Sequence, residues 1–106
     1  MHIPVDIEIP PEYQSLANHL TGAFLQAAEG KGKERHANED AFEDQIICSI
    51  NRILGSIDGA RYQAIKKIIE SERLLRLKGK EAAIAELYGS INYLAAACVL
   101  IEEMEE

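Results

Sequence analysis

Apolar residues recur every three or four positions through most of the chain, which is the spacing of amphipathic helices. Four such stretches follow one another, with glycines at the joints between them. They begin near residues 11, 38–40, 59 and 80, and the last continues to about residue 104. Because the connections are short, the pattern predicts an all-α fold, a four-helix antiparallel bundle.

The joints carry capping signals. Asp40 and Glu43 fit a capping box, in which both side chains bond the free N–H groups of a first helical turn. They predict that the second helix begins at residues 38–40. Gly30 follows the first helix and is predicted to be a left-handed cap, a conformation that glycine adopts at low cost.

Before the first helix, residues 2–9 alternate between apolar and polar. This alternation predicts an extended arm with one apolar face, and Pro4 keeps it off a central strand. No second strand is predicted, so we expect the arm to lie along a helix groove or on a neighbouring subunit. The chain is thus divided into an arm at 1–10 and one helical domain at 11–106.

The fourth predicted helix has two apolar faces. One is a heptad repeat over two and a half heptads, and from residue 93 the helix is apolar nearly all round. Together with the arm, this predicts a homo-oligomer, most simply a two-fold dimer. The alternative is that this helix is the central helix of a monomer. The heptad positions are Ile84, Leu87, Ile91, Leu94, Cys98 and Ile101.

Composition adds limits to this picture. The 106 residues are 47% apolar and 27% charged, as in one folded domain, and the absence of Trp predicts a core of Ile, Leu and Ala. Cys48 and Cys98 fall on apolar faces, which predicts buried free thiols in a reducing compartment, with a disulfide between them as the alternative.

The N-terminus lacks a signal-peptide pattern. The longest apolar run, residues 93–101, is shorter than the roughly 20 residues of a membrane span. We therefore expect a cytoplasmic protein with no membrane partner.

The charges are unevenly distributed. The net charge of −7 argues against non-specific nucleic-acid binding. Yet three of the 11 Lys and Arg residues lie between positions 31 and 35, and seven lie between 61 and 80. This predicts one electropositive surface on an acidic body.

The first basic stretch is GKGKERH, residues 30–36. Its glycines would let backbone N–H groups approach an anion, and Lys31, Lys33, Arg35 and His36 would add donors. It also leads toward a helix N-terminus, which favours anions. The spacing is not that of a P-loop. The alternative is a solvated loop that keeps the protein soluble.

The second basic stretch is the third helix. Lys66, Arg73 and Lys80 are seven residues apart and so lie on one face, and Tyr62 precedes Lys66 by one turn. Such a face could hold phosphates and stack a base. The alternative is a solvated face paired with nearby acids. The predicted ligand-binding residues are Lys31, Lys33, Arg35, His36, Tyr62, Lys66 and Arg73, with no catalytic or metal-binding residue among them.

Carboxylates offer a different chemistry. Glu39 and Glu43, with Glu72 or Glu86, could hold magnesium between helices. In this the chain resembles the architecture of the all-α MazG-like nucleoside-triphosphate pyrophosphohydrolases, which use an ExxE pair on one helix and an ExxD pair on a later one. Here Glu39 and Glu43 are four apart, and no Asp follows Glu86 at that spacing. A magnesium-dependent pyrophosphohydrolase is thus an alternative function, and magnesium is expected only under it.

Glu72 also falls on the apolar stripe of the third helix, between Ile68 and Leu75. A carboxylate in such a place is costly unless it is paired. The sequence therefore predicts a salt bridge to Arg52 or Arg61. The alternative is a ligand-facing group at the centre of the bundle.

Three segments, GKGKERHANEDAFEDQ, YQAIKK and ELYGSINYLAAA, make residues 30–101 similar to small phage- and prophage-encoded helical proteins. The resemblance implies a phage-borne accessory protein in the host cytoplasm, of a kind that binds or counters host factors, including nucleotide signals of host defence. The leading hypothesis is a non-enzymatic oligomer that sequesters a small anionic ligand such as a nucleotide or cyclic nucleotide. A protein–protein inhibitor or structural module is a further alternative.

Overall fold

A computed structural model describes residues 7–30 and 40–105. Over these ranges the protein has four α-helices and no strand, which confirms the all-α prediction. The helices are α1 at Gln14–Glu29, α2 at Ile46–Leu54, α3 at Asp58–Leu77 and α4 at Lys80–Glu103. Turns of 3-10 helix at Pro11–Tyr13 and Phe42–Asp44 precede α1 and α2. Most of the predicted arm, residues 1–6, lies outside the described residues.

Two glycines with positive φ set the helix ends. Gly55 (φ 67°) caps α2 in the left-handed conformation, where its N–H bonds the carbonyl of Arg52. Gly79 (φ 101°) separates α3 from α4. The prediction for Gly30 was wrong in its conformation, since α1 ends there with φ −105°.

The start of α2 differs from the sequence prediction. The helix begins at Ile46, and Gln45 before it is extended, with no side-chain cap. Asp40 lies too far from this first turn to cap it. Instead the side chain of Gln45 donates to the Asp40 carbonyl at 3.0 Å. The capping-box prediction was therefore wrong, and a 3-10 turn replaces the first predicted helical turn.

The central element is α4, which contacts each of the other three helices. It packs along α3, and the Ser90 hydroxyl donates to the Ala64 carbonyl at 2.9 Å. Its other flank holds α1, since Asn92 donates to the Ala23 carbonyl at 3.0 Å. The fold is thus a helical hairpin of α3 and α4 that carries α1 and α2.

The buried apolar residues of the described chain are mostly small. Apart from Ile47 they are alanines and one cysteine, because small side chains let helix axes approach closely. The predicted core of Ile and Leu was therefore wrong for the single chain, although alanine was correctly placed in it. The buried apolar residues are Ala23, Ile47, Cys48, Ala60, Ala64, Ala83, Ala96 and Ala97.

The predicted apolar stripes lie largely outside this core. On α3, Ile65 is 54% exposed and Ile69 is 68% exposed. On α4 the heptad positions are also open: Leu94 is 48% exposed, and Cys98 is exposed whereas Cys48 is buried. The helical periodicity was right, but in α3 and α4 a different face of the helix packs within the chain. Both thiols are free, so the alternative of a disulfide is wrong.

Among the described helices, α4 is the one long and apolar enough to cross a membrane, judged by length and composition alone. The unbroken apolar run at residues 93–101 is shorter than the apolar part of α4, because isolated polar residues interrupt that helix. The sequence prediction of no membrane-length segment was based on the unbroken run alone. The core helix of a soluble protein passes the same test, so one such helix is weak evidence for a membrane span.

Candidate functional site

The outer face of α3 carries the basic residues that the sequence singled out. Tyr62, Lys66 and Arg73 are spaced by four and seven residues, so they share one face of the helix, and all three are exposed. The opposite face carries Ala60 and Ala64, which are buried. The structure therefore places these three predicted ligand contacts together on a solvent-facing surface, which we call the outer face of α3.

The cations of this face differ in their partners. Lys66 has no carboxylate within ion-pair distance in the described part of the chain. Arg73 is paired with Glu70 on the preceding turn, Nη2 to Oε1 at 2.6 Å. The hydrogen bond from Arg73 to Glu70 raises the pKa of Arg73, which stays a cation. Lys66 is therefore more available than Arg73 to an anionic ligand.

The basic loop itself, with Lys31, Lys33, Arg35 and His36, lies outside the described residues. Its two ends are described. Ala28, just before it, and Asp40, just after it, both line a groove between α1 and α4.

This groove has a volume of about 720 Å³. Its walls are mainly apolar and include Phe24 and Phe42, the two phenylalanines of the chain. Asp40, Gln45 and Asn92 are its polar groups. The sequence did not predict this groove, although the placement of both Phe residues beside the basic loop was a signal for it. No residue of α3 lines it, so the groove and the outer face of α3 are separate surfaces.

A second cavity, of about 150 Å³, lies between α2, α3 and α4. Asn51 of α2 lines it and is only 1% exposed. Tyr62 stands at its α3 side, so this cavity adjoins the outer face of α3. Asn51 was not among the predicted contacts, since an Asn within a helical stripe resembles any other polar position.

The acidic residues of the magnesium alternative are not gathered in the described ranges. Glu43 and Glu72 are exposed, while Glu86 pairs with Lys67 at 2.9 Å. Glu39 lies outside the described residues. Over residues 7–30 and 40–105, no group of three or more His, Cys, Asp or Glu residues is placed to hold a metal ion.

The salt bridge predicted for Glu72 is wrong. Glu72 is exposed to solvent, so it needs no compensating partner. The two arginines proposed for it are engaged elsewhere: Arg52 binds Glu103 at 2.6 Å, and Arg61 lies 3.4 Å from Asp58.

Comparisons with protein-family models, with curated proteins and with solved structures find no match to this chain. The resemblances to phage-encoded proteins and to the MazG-like enzymes therefore stay predictions.

Proposed function

We propose that this protein is a non-enzymatic homo-oligomer that binds a small anionic ligand, a nucleotide or cyclic nucleotide, on the outer face of α3. The observation that carries the proposal is the shared exposed face of Tyr62, Lys66 and Arg73, in which Lys66 lacks a carboxylate partner among the described residues. Lysine supplies a point charge for phosphate, arginine supplies a planar fork of donors, and a tyrosine ring can stack a base.

The basic loop would complete this site. Lys31, Lys33, Arg35 and His36 would add donors to the phosphate, either from the same chain or from a neighbouring subunit. In the phage context that the sequence suggests, the protein would sequester a nucleotide signal in the host cytoplasm. It would need neither catalysis nor a cofactor for this role.

Exposed apolar surface supports the oligomer. Four heptad residues of α4 are 38–52% exposed, equivalent to about two fully exposed side chains. Burying one such side chain contributes about 1.5–3 kcal/mol. Each chain could therefore contribute about 3–6 kcal/mol on association, against a cost of about 4–15 kcal/mol for the pair. The four residues are Ile84, Leu87, Leu94 and Ile101.

The heptad face of α4 is available to a second copy. The α4 residues that hydrogen-bond α1 are Ala85, Tyr88 and Asn92. At 100° per residue, Leu87 and Leu94 fall on a different face from these three. A second copy could therefore pack on the heptad seam without displacing α1.

Ligand binding is tested by calorimetry with a panel of nucleotides and cyclic nucleotides. We expect at least one to bind, and Lys66→Ala to weaken it about 10–100-fold, as loss of a charge-assisted contact does. The matched control is Lys78→Ala, which removes an exposed cation beyond the end of α3. If no nucleotide binds, or if both variants lose the same affinity, the proposal is wrong.

Assembly is tested by size-exclusion chromatography with light scattering. We expect the native chain to be larger than a monomer, and the double variant Leu87→Glu with Leu94→Glu to be monomeric. Met104→Glu, which changes an exposed apolar residue after α4, should keep the native mass. A monomeric native chain, or one that sediments with membranes, would overturn the oligomer.

A mixture of two binding-deficient variants tests whether the basic loop meets the outer face of α3 in its own subunit or in a neighbouring one. If the loop of one subunit meets the outer face of α3 of another, then co-refolded Arg35→Ala and Lys66→Ala chains contain some intact sites. Binding would then be partly restored in the mixture. If loop and face belong to one chain, every site carries one defect, and the mixture binds no better than either variant.

A further inference from the structure

The cavity of about 150 Å³ lies where α2, the start of α3 and the middle of α4 meet. Its wall includes Asn51 from α2, Tyr62 and Gln63 from α3, and Tyr93 from α4. The volume corresponds to about five water molecules of the liquid. Tyr62 in its wall is 62% exposed and Ile50 is 45% exposed, so the cavity opens to solvent and can admit a small organic group.

Asn51 gives this cavity a specific chemistry. The side chain is 1% exposed, and its Nδ2 has no hydrogen-bond acceptor among the described residues. Buried amides nearly always have partners, because the hydrogen bonds lost from water must be replaced. The other buried polar side chains follow this rule, since Gln45 donates to the Asp40 carbonyl and Ser90 to the Ala64 carbonyl. Asn51 therefore presents an unused donor.

We infer that this cavity receives the base of the nucleotide, with Nδ2 of Asn51 donating to a ring nitrogen or carbonyl oxygen. An asparagine amide matches the edge of a base, and Gln63 supplies a further donor and acceptor. Tyrosine rings provide flat apolar surfaces for a heterocycle. The wall has no charged residue in the described structure, so it suits an uncharged ring and not a phosphate.

This inference rests on the proposed function and adds the position of the base to it. Lys66 follows Tyr62 by one helical turn, about 6 Å along the axis. A base inserted beside Tyr62 would therefore leave its sugar phosphate at the mouth of the cavity, within reach of Lys66. The cavity and the outer face of α3 would hold two parts of one ligand.

The test compares UMP, CMP, AMP and GMP with ribose 5-phosphate, which has the phosphate but no base, by calorimetry. We expect at least one nucleotide to bind about tenfold or more tightly than ribose 5-phosphate. Asn51→Leu should abolish this preference and leave the affinity for ribose 5-phosphate unchanged. Its melting temperature should equal or exceed that of the native protein, because an apolar side chain of similar shape removes an unsatisfied donor. Asn51→Ala is the second variant and should also lose the preference.

Gln45→Leu is the matched control, since it removes a buried amide whose donor is used. It should lower the melting temperature and keep the nucleotide preference. If ribose 5-phosphate binds as tightly as every nucleotide, or if Asn51→Leu and Asn51→Ala keep the preference, the base lies elsewhere and only this inference is overturned. If none of the five probes binds and no cyclic nucleotide binds either, the anion site on the outer face of α3 fails as well.

Discussion

Arg52 of α2 holds Glu103 at the end of α4 through two hydrogen bonds. Its Nε donates to Oε2 at 2.8 Å and its Nη2 to Oε1 at 2.6 Å. The same Nη2 donates to the Glu43 carbonyl at 2.6 Å. One guanidinium thus joins α2, the turn before it and the end of α4, a geometry that arginine provides and lysine does not.

This pair predicts a pH-dependent stability. The hydrogen bond from Arg52 holds the pKa of Glu103 below its ordinary value. A carboxylate with a lowered folded-state pKa stabilises the protein above its unfolded pKa of about 4.3, and that contribution is lost as the pH falls through the lowered value. Glu103→Gln should therefore lower the melting temperature by a few degrees at pH 7. The difference in melting temperature between Glu103→Gln and the native protein should shrink as the pH drops below about 4.

Arg61→Gln is the control for this experiment. Its pair with Asp58 is longer, at 3.4 Å, and more exposed, and exposed pairs contribute little. Thermal melts followed by circular dichroism from pH 3 to pH 7 measure both variants. An effect of Glu103→Gln that is equal at all pH values, or no larger than that of Arg61→Gln, would contradict the prediction.

The pair between Lys67 and Glu86 should couple α3 to α4. The two groups are 2.9 Å apart and their side chains are only 14% and 22% exposed. Lys67→Met or Glu86→Gln should each destabilise the protein by about 1–3 kcal/mol, because each leaves a half-buried charge without its partner. The double variant should lose less than the sum of the single variants. Urea denaturation of all four proteins measures this, and strict additivity would show that the pair is not coupled.

Gly22 of α1 should resist substitution. A Cβ placed there would lie 2.5 Å from Cε2 of Tyr88, whose hydroxyl is 2.7 Å from Nδ1 of His19. Gly22→Ala should destabilise the protein by about 1–3 kcal/mol, since overpacking outweighs the better helix propensity of alanine. Gly89→Ala is the control, because the atoms nearest its Cβ would be those at the end of the Lys67 side chain, at 3.0 Å or more. Urea denaturation should show a clear loss of stability for Gly22→Ala and little for Gly89→Ala, and equal losses would rule out the contact with Tyr88 as the cause.

The two cysteines should report on assembly. Burial raises the pKa of Cys48, which lowers its thiolate fraction, so Cys48 should react slowly with a maleimide. Cys98 is exposed on the heptad face of α4 and should react quickly in a monomer. If a second copy covers that face, the labelling rate of Cys98 should fall as the protein concentration rises. The variants Cys48→Ser and Cys98→Ser assign the two rates, and a rate of Cys98 that does not depend on concentration would argue against the heptad interface.

The spacing of residues was sufficient to place part of the candidate site. Tyr62, Lys66 and Arg73 share a face because helical geometry depends only on their separation in sequence. Asn51 could not be found in this way. Its burial and its unused donor depend on how three helices pack together, and this packing cannot be predicted from the local sequence pattern.

The sequence by itself determined the helices. It predicted a helix that begins near residue 59 and another from about 80 to 104, close to α3 at Asp58–Leu77 and α4 at Lys80–Glu103. The bounds of these two helices follow from the positions of glycines and from the spacing of apolar residues. Both are local features, so the bounds could be predicted without knowledge of contacts between distant residues. The start of α2 was the exception, because Gln45 binds the Asp40 carbonyl in place of the expected cap.

Only the tertiary structure decided which face of each helix is buried. Both α3 and α4 carry one face of large aliphatic residues and another of small ones, and periodicity cannot rank two faces of the same helix. Within one chain the small faces pack, as at Ala60, Ala64 and Ala97, because small side chains allow close approach. Ile69 and Leu94 stay exposed as a result, and we propose that another copy of the same chain packs on the face of α4 that carries Leu94.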